Sequence, residues 1–411
     1  MRDVRMRGFA ERADVEEVER FLADAVRPLA PETVALLACA RRVLAEDVRA
    51  DVDVPSFPRS AMDGYAVRGE DTFGASEYDP ISLELCGLAL PGAPFDGRIG
   101  SGQAVRIMTG APVPEGADAV VMAEVCEERD ERVAVGEAVA PRKNVGDVGE
   151  DIRAGDELLR RGRRLRPQDV GVLASIGRAA VQCVTRPRVR LVITGDELLP
   201  PGSTPRGVRI VDSNSVVLRS LVARDAGELL PFEILPDDPA LIRAALEDED
   251  ADVVLVSGGS SVGQEDHAPR LLAELGTLAF HGISMRPSSP AGVGRIGERF
   301  VFLLPGNPVS CLCAYEFFAG PTLRALGGRS RAWPHRQRRL PLARKIVSAV
   351  GRTDYVRVAV EEGFVVPLAT SGASILSSTV RAAGCVIVPR ELEGMPEGAE
   401  VDVLLYDEEE T

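Results

Sequence analysis

Three times between residues 189 and 310 an apolar run ends in a glycine turn: VRLVITGDE, ADVVLVSGGSSVGQED and RFVFLLPGNPVS. Glycines leave backbone N–H groups open to anionic oxygens, and Asp196, Glu197 and Asp266 add carboxylates suited to a hard cation. These residue types point to a phosphorylated ligand held together with a metal. A run such as Val253 to Val256 reads as a strand buried on both faces, and a helix-like segment is expected after each turn. The three units therefore predict a parallel α/β sheet, whose ligands bind at the carboxyl ends of its strands.

The pentapeptide Gly-Asp-Glu-Leu-Leu occurs at 155–159 and again at 195–199. The first copy lies among Arg153, Arg160, Arg161, Arg163 and Arg164 and reads as a turn between solvated strands. The second follows an apolar strand, where Asp196 and Glu197 suit either metal or phosphate chemistry or helix capping. SGGSSVGQED (257–266) brings Gly258, Gly259, Ser261 and Gly263 together before a helix, an anion cradle without the lysine of a Walker loop. Asp266 is either a site carboxylate or the cap of a helix at 268–275, and His267 packs or caps.

PGNPVS (305–310) brackets Asn307 and Gly306 between Pro305 and Pro308, a rigid turn fit for a tight crossover or a ligand contact, with Ser310 starting the next helix. Asp212, Ser213 and Asn214 in IVDSN, and Asp237 and Asp238 in PDDPA, are N-caps or site residues. In RSAMDGYAV (59–67), Asp63 occupies a polar turn with no evident packing purpose, although a hairpin turn would also explain it. RIMTGAP (106–112) turns Thr109 toward solvent or toward a site.

Composition narrows the partners. A net charge of −15 repels nucleic acid and acidic membranes, so neither is expected. His267, His281 and His335 are too scattered for a multi-histidine zinc site, which leaves carboxylate-bound magnesium favoured. Seven scattered cysteines and a start without a signal-like apolar core predict free thiols in the cytoplasm.

Stepping along the chain, the spacing predicts helices over 14–27 and from about Pro31 to Leu44. Short alternating runs between 82 and 140 predict a small β domain, and KNVGDVGEDI onward returns to loops and one short helix. Residues 189–326 alternate strand and helix, with LLPFEIL among the strands. GGRSRAWPHRQRR (327–339) reads as a linker before a last run of strands.

Taken together, SAMDGYA, RIMTGAPVPEGADAVV, GEDI, ITGDEL, DSN, SGGSSVG and PGNPVS resemble the molybdopterin molybdotransferase family, the bacterial relatives of the gephyrin E domain. The resemblance covers nearly the whole chain. It implies α/β plus β architecture, with a central doubly wound, mostly parallel molybdopterin-binding domain at 187–327. Around it are expected a discontinuous linker domain at 1–57 and 141–186, an extended β domain at 58–140 and a C-terminal β-barrel-like domain at 339–411. Part of 28–45 is expected against the α/β domain.

The implied chemistry is insertion of molybdate into adenylylated molybdopterin with release of AMP, dependent on Mg2+. By similarity Asp63, Asp151, Glu197, Asp237 or Asp238, and Asp266 form the acidic set, with Asp196, Glu197 and Asp266 toward the metal and Thr109 as a functional threonine. Gly258, Gly259, Gly263 and Gly306 would donate to the ligand, with Pro305, Asn307 and Pro308 shaping the turn. Ser261 and Ser310 match hydroxyls near an oxyanion pocket.

RPSSP at 286–290 departs from the KPGKP of many relatives: Arg286 keeps a charge, Ser288 replaces glycine, Ser289 replaces lysine, and Pro290 is kept. Asp147 stands in a stretch usually richer in basic residues, and in GASILSS (372–378) Ala373 replaces a common serine, with Arg357 an anion partner there. The family also implies a homodimer whose site is completed by the partner chain, and contact with molybdopterin adenylyltransferase and with molybdoenzymes. The alternatives are the adenylyltransferase itself, which shares the SGG and PGNP loops, and a non-catalytic pterin-binding dimeric scaffold.

Overall fold

The computed structural model describes residues 12–259, 267–369 and 372–406. The chain divides into two units, 33–183 and the remainder. No helix among the described residues is long and apolar enough to cross a membrane.

The unit 33–183 is built on a six-stranded sheet. Gly64–Val67 runs antiparallel to both Gln103–Ile107 and Ala119–Met122, while Ile81–Ala89 lies parallel to Gln103–Ile107 and antiparallel to Arg132–Val135. Side chains alternate along these strands, so Tyr65 and Val67 enter one core with Leu83 and Val121, and Ala66 enters another with Val105 and Val120. Gly64 is obligatory here, because a Cβ would stand 1.9 Å from the Val121 carbonyl oxygen. A third core gathers Val34, Leu44 and Val48 with Ile152, Leu165, Leu173 and Cys183, segments far apart in sequence.

The helix expected from Pro31 to Leu44 is not formed. Pro31–Ala35 is a strand with only Val34 buried, Leu36–Ala38 is a 3₁₀ turn, and Val43 and Leu44 form bridges to Arg164 and Cys183. Tertiary pairing with Ala180–Val184 satisfies this backbone, and the apolar Leu37 points to solvent. The first copy of GDELL is the expected turn: Gly155 has φ 96°, and Glu157–Leu159 pairs with Val48–Arg49.

In the other unit, Arg188–Thr194, Val253–Ser257 and Arg299–Leu304 lie parallel side by side. Val189, Leu191 and Ile193 face one core and Val192 the other; Val253 and Leu255, against Val254 and Val256, do the same. Both faces are covered, which is why these strands read as unbroken apolar runs. Gly292–Ile296, a strand the sequence reading did not identify, adds an antiparallel edge with Thr277–His281. LLPFEIL is not one strand. It is split into Glu228–Leu229 and Ile234–Leu235, which both pair with Arg188–Thr194 on either side of Pro231, a residue that lacks the donor a ladder needs.

The helix Val15–Ala25, grouped by sequence with the linker segment, instead buries Val15, Val18 and Leu22 in the α/β core. The supposed linker is also shorter than expected, since Arg336–Pro341 is a strand paired with Glu400–Leu405. That strand joins a six-stranded sheet centred on Thr353–Glu361 and Gly384–Val388, to which Met285–Arg286 adds a parallel edge.

Helix Asn214–Arg224 ends in a buried ionic network. Asp225 accepts from Arg224 (2.8 Å), Arg324 (2.9 Å) and the Tyr315 hydroxyl (3.0 Å), and Glu316 takes both terminal nitrogens of Arg224 at 2.6 and 2.9 Å. Burial alone would raise the Glu316 carboxyl, but the approach of His335 and the bonds from Arg224 outweigh it and hold it down to about 2. Tyr315 and Glu316 lie in a π-helical turn, Tyr315–Ala319, that aims them at Arg224 and Asp225.

Asp225→Ala strands the buried Arg324 guanidinium and should destabilise this unit by about 3–5 kcal/mol, read by urea unfolding followed through the fluorescence of Trp333. The depressed Glu316 carboxyl contributes stability fully above its ordinary value of 4.5, and loses it as pH falls toward about 2. Glu316→Gln should therefore flatten the urea midpoint against pH across that window. An unchanged profile would contradict the role given to Glu316.

Candidate functional site

The three glycine turns leave the same edge of the parallel sheet. Ser257 pairs with Ile193 on one side and Leu304 on the other, so the three strands end level. Gly258, at φ 100°, passes so close to Thr194 that a Cβ would stand 2.2 Å from its carbonyl oxygen, and Gly306 lies against Gly258. Only glycine fits at 258, and the approach keeps the backbone of both turns bare.

After Thr194 the chain does not enter a helix directly, as expected. It makes a short excursion, Leu198–Leu199 paired with Ile210–Val211, before the helix Asn214–Arg224. Asp196 and Glu197 are thus not helix caps. Both are exposed at the carboxyl end of the strand, and Asp196 Oδ1 accepts from the Asp237 backbone N–H at 3.4 Å. Asp238 does cap the helix Pro239–Glu247, accepting from Ala240 N at 2.8 Å. Asp212 Oδ1 accepts from Ser215 N at 3.1 Å, in the first turn of the helix Asn214–Arg224 whose N-cap position is Ser213. Ser261, Gly263 and Asp266 lie outside the described residues.

RPSSP, PGNPVS and GASILSS meet at the helix Pro308–Ala314. Ser288 Oγ donates to the Ser310 carbonyl at 2.7 Å, and Val309 N–H donates to the Ala373 carbonyl at 2.9 Å. Ser288 has φ 91°, a conformation natural to glycine, and its hydroxyl bond offsets part of the strain. The Ser310 side chain is buried, Pro305 is buried, and Asn307 is exposed, while Ser289 and Pro290 are partly buried, with Ser289 Oγ unpartnered.

Two expected anion contacts take other roles. Arg286 pairs with the buried Asp354, which also accepts from Ser348 Oγ at 2.7 Å and Arg352 Nε at 3.0 Å. Arg357 is fully buried and donates to Ser378 Oγ at 2.7 Å and the Gly372 carbonyl at 3.3 Å, so it holds the serine-rich loop instead of facing an anion in solvent. Asp354 gave no signal in the sequence, since an aspartate within TDYVRV reads as a polar residue at a strand start.

In the other unit Asp63 and Thr109 do meet. Asp63 Oδ1 accepts from Thr109 N–H at 2.7 Å and Thr109 Oγ1 at 2.8 Å. The backbone bond first and the hydroxyl second hold the Asp63 carboxyl below its ordinary value, so it is an anion at neutral pH. Both residues are exposed. Asp151 is not beside them: the segments 54–61 and 144–152 run antiparallel, and Asp151 N–H donates to the Val54 carbonyl at the end of that ribbon farther from Asp63.

Among the described residues no group of three His, Cys, Asp or Glu side chains forms a metal cage. Asp196 and Glu197, adjacent and exposed, are carboxylates of the kind that hold magnesium, an ion bound by one or two carboxylates with substrate phosphates supplying the rest.

Thr109→Val should raise the Asp63 titration midpoint and Thr109→Ser should leave it in place, as followed by carboxyl-carbon NMR; equal midpoints in all three proteins would remove the hydroxyl from this account. Three family models match the chain: "MoeA N-terminal region (domain I and II)" over 13–177, "Probable molybdopterin binding domain" over 190–325, and "MoeA C-terminal region (domain IV)" over 339–406. The molybdopterin molybdenumtransferase of Haemophilus influenzae is 36% identical over 80% of this chain and 81% of its own. Molybdopterin molybdenumtransferase 2 of Mycobacterium tuberculosis is 33% identical over 95% and 98%. The crystal structure of the molybdopterin biosynthesis MoeA protein from Pyrococcus horikosii superposes with a TM-score of 0.81 at 32% identity, over 97% of this chain and all of that one. With three models matched in order from residue 13 to residue 406, and a relative 33% identical over 95% of its length, the chain belongs to the MoeA family.

Proposed function

We propose that this protein is a molybdopterin molybdenumtransferase of molybdenum cofactor biosynthesis, which inserts molybdate into adenylylated molybdopterin and releases AMP. The observation that carries the reading is the shared edge where the Gly258 and Gly306 turns stand with the exposed carboxylates Asp196 and Glu197. Bare backbone donors suit the phosphates of a pterin nucleotide, and their fixed dipoles need no reorganisation as charge moves onto the departing AMP. Asp196 and Glu197 would hold the magnesium, which would polarise the phosphoanhydride. Asp237 N–H fixes the Asp196 carboxylate, and Asp63, kept ionised by Thr109, supplies a further negative group.

The working form in this reading is a cytoplasmic homodimer, with the Asp63–Thr109 turn of one protomer completing its partner's cleft. Phe57 and Met62, exposed apolar side chains in the segment leading to Asp63, support such a covering contact. One observation favours a non-catalytic pterin-binding scaffold instead: the Arg286 cation is already paired with Asp354, which weakens its pull on an oxyanion. The two readings separate on turnover.

With adenylylated molybdopterin, molybdate and Mg2+, the protein should release AMP, and Glu197→Ala or Asp63→Ala should slow release on the order of 100-fold or more with the circular dichroism unchanged. Binding of the adenylylated pterin without molybdate-dependent AMP release would favour the scaffold, and consumption of MgATP with molybdopterin would favour the adenylyltransferase.

A further inference from the structure

Asn214 opens the helix that follows the excursion of the first glycine turn, and its side chain reaches the other two. Its Nδ2 donates to Ser257 Oγ at 2.9 Å, where the second strand ends, and to the Gly306 carbonyl at 2.8 Å, inside the third turn. Ser257 Oγ also lies 3.8 Å from Cys311 Sγ, on the helix that leaves the third turn. Asn214 is 8% exposed, so water competes little for these bonds. The backbone end of the amide is fixed as well, because Asp212 Oδ1 binds Ser215 N–H in the same helical turn.

The bonds tie the end of the second strand to the third turn, just beyond the last ladder pair, Ser257 and Leu304. A Cβ on Gly306 would stand 3.9 Å from Gly258 Cα, so the two bare backbones face each other at contact distance. Neither carries a side chain that could lock the other. A carboxamide is required for the link as built, since both bonds use N–H donors and an aspartate of the same shape has none.

We propose that Asn214 is a positioning residue: it sets the spacing of the Gly258 and Gly306 turns, and so of the backbone donors that hold the phosphate-bearing part of the ligand, without touching the ligand. The inference rests on the reading of these turns as the pterin-nucleotide site. A cradle of N–H donors works only when their separation matches that of the oxygens, and a displacement of about 1 Å is enough to cost on the order of 100-fold.

The test uses the full-length protein, measuring AMP release with adenylylated molybdopterin and molybdate varied in turn. Asn214→Asp should raise KM for adenylylated molybdopterin about 10-fold or more and leave KM for molybdate unchanged. Ser257→Ala removes one of the two bonds and should give a smaller rise, and the double variant should be no worse than Asn214→Asp alone, because the bond lost is shared. An unchanged KM in Asn214→Asp beside a lowered melting temperature would overturn the proposal, as would additive losses in the double variant. Should Asn214→Asp fail to fold, an unchanged KM in Ser257→Ala overturns it. A wild-type protein that releases no AMP fails the reading of the site instead. Calorimetric titration with AMP then still tests the strut: weaker binding by Asn214→Asp supports it and equal binding overturns it.

Discussion

Parallel pairing of Arg188–Thr194, Val253–Ser257 and Arg299–Leu304 is the constraint on which the proposed ligand edge depends. Because Ile193, Ser257 and Leu304 sit abreast, three turns, the first and last more than 100 residues apart in the chain, begin at one level. Burial on both faces fixes that register: a slip by one residue would exchange Val253 and Leu255 for Val254 and Val256 between two cores already filled. Everything proposed for the ligand follows from this edge, from the bare backbone at Gly258 and Gly306 to the paired carboxylates after Thr194.

Around the edge, polar side chains tie the loops to one another and to the helix Pro308–Ala314. Asn214 spans two turns, Ser288 ties RPSSP to the helix Pro308–Ala314, and Arg357 holds the loop that reaches the same helix through Ala373. The departure at RPSSP is accommodated in two physical ways. Ser288 keeps the positive φ of a glycine and spends its hydroxyl on a carbonyl, and Arg286 keeps a cation but shares it with Asp354. In this loop, then, one hydroxyl is committed to the backbone and the guanidinium is partly neutralised by a directional ion pair.

Much of the site was legible in the chain because its signals are local. Apolar runs of strand length, glycines where a Cβ has no room, and acidic residues just past a strand each act within a few residues. The second GDELL was separable from the first by the strand before it, and Asp63 and Thr109, picked from separate motifs, proved to share two hydrogen bonds. Misreadings came where a distant partner decided the outcome. Pro31–Ala35 has helix-like spacing but pairs with Ala180–Val184, and Arg336–Pro341 looks like a basic linker but completes a sheet with Glu400–Leu405.

The sequence by itself determined the layered α/β unit, the three glycine turns and the family, since apolar periodicity, glycine and motif order are properties of the chain read in one direction. Tertiary structure decided what each polar side chain does once the turns are assembled. Arg357 was read as an anion partner and is buried on Ser378, Arg286 met an unforeseen carboxylate, and Asn214, read as a cap or a site residue, became a link between loops 43 and 92 residues away. Hydrogen bonds and ion pairs depend on distances of a few ångströms between groups remote in sequence, and only the packed fold sets those distances.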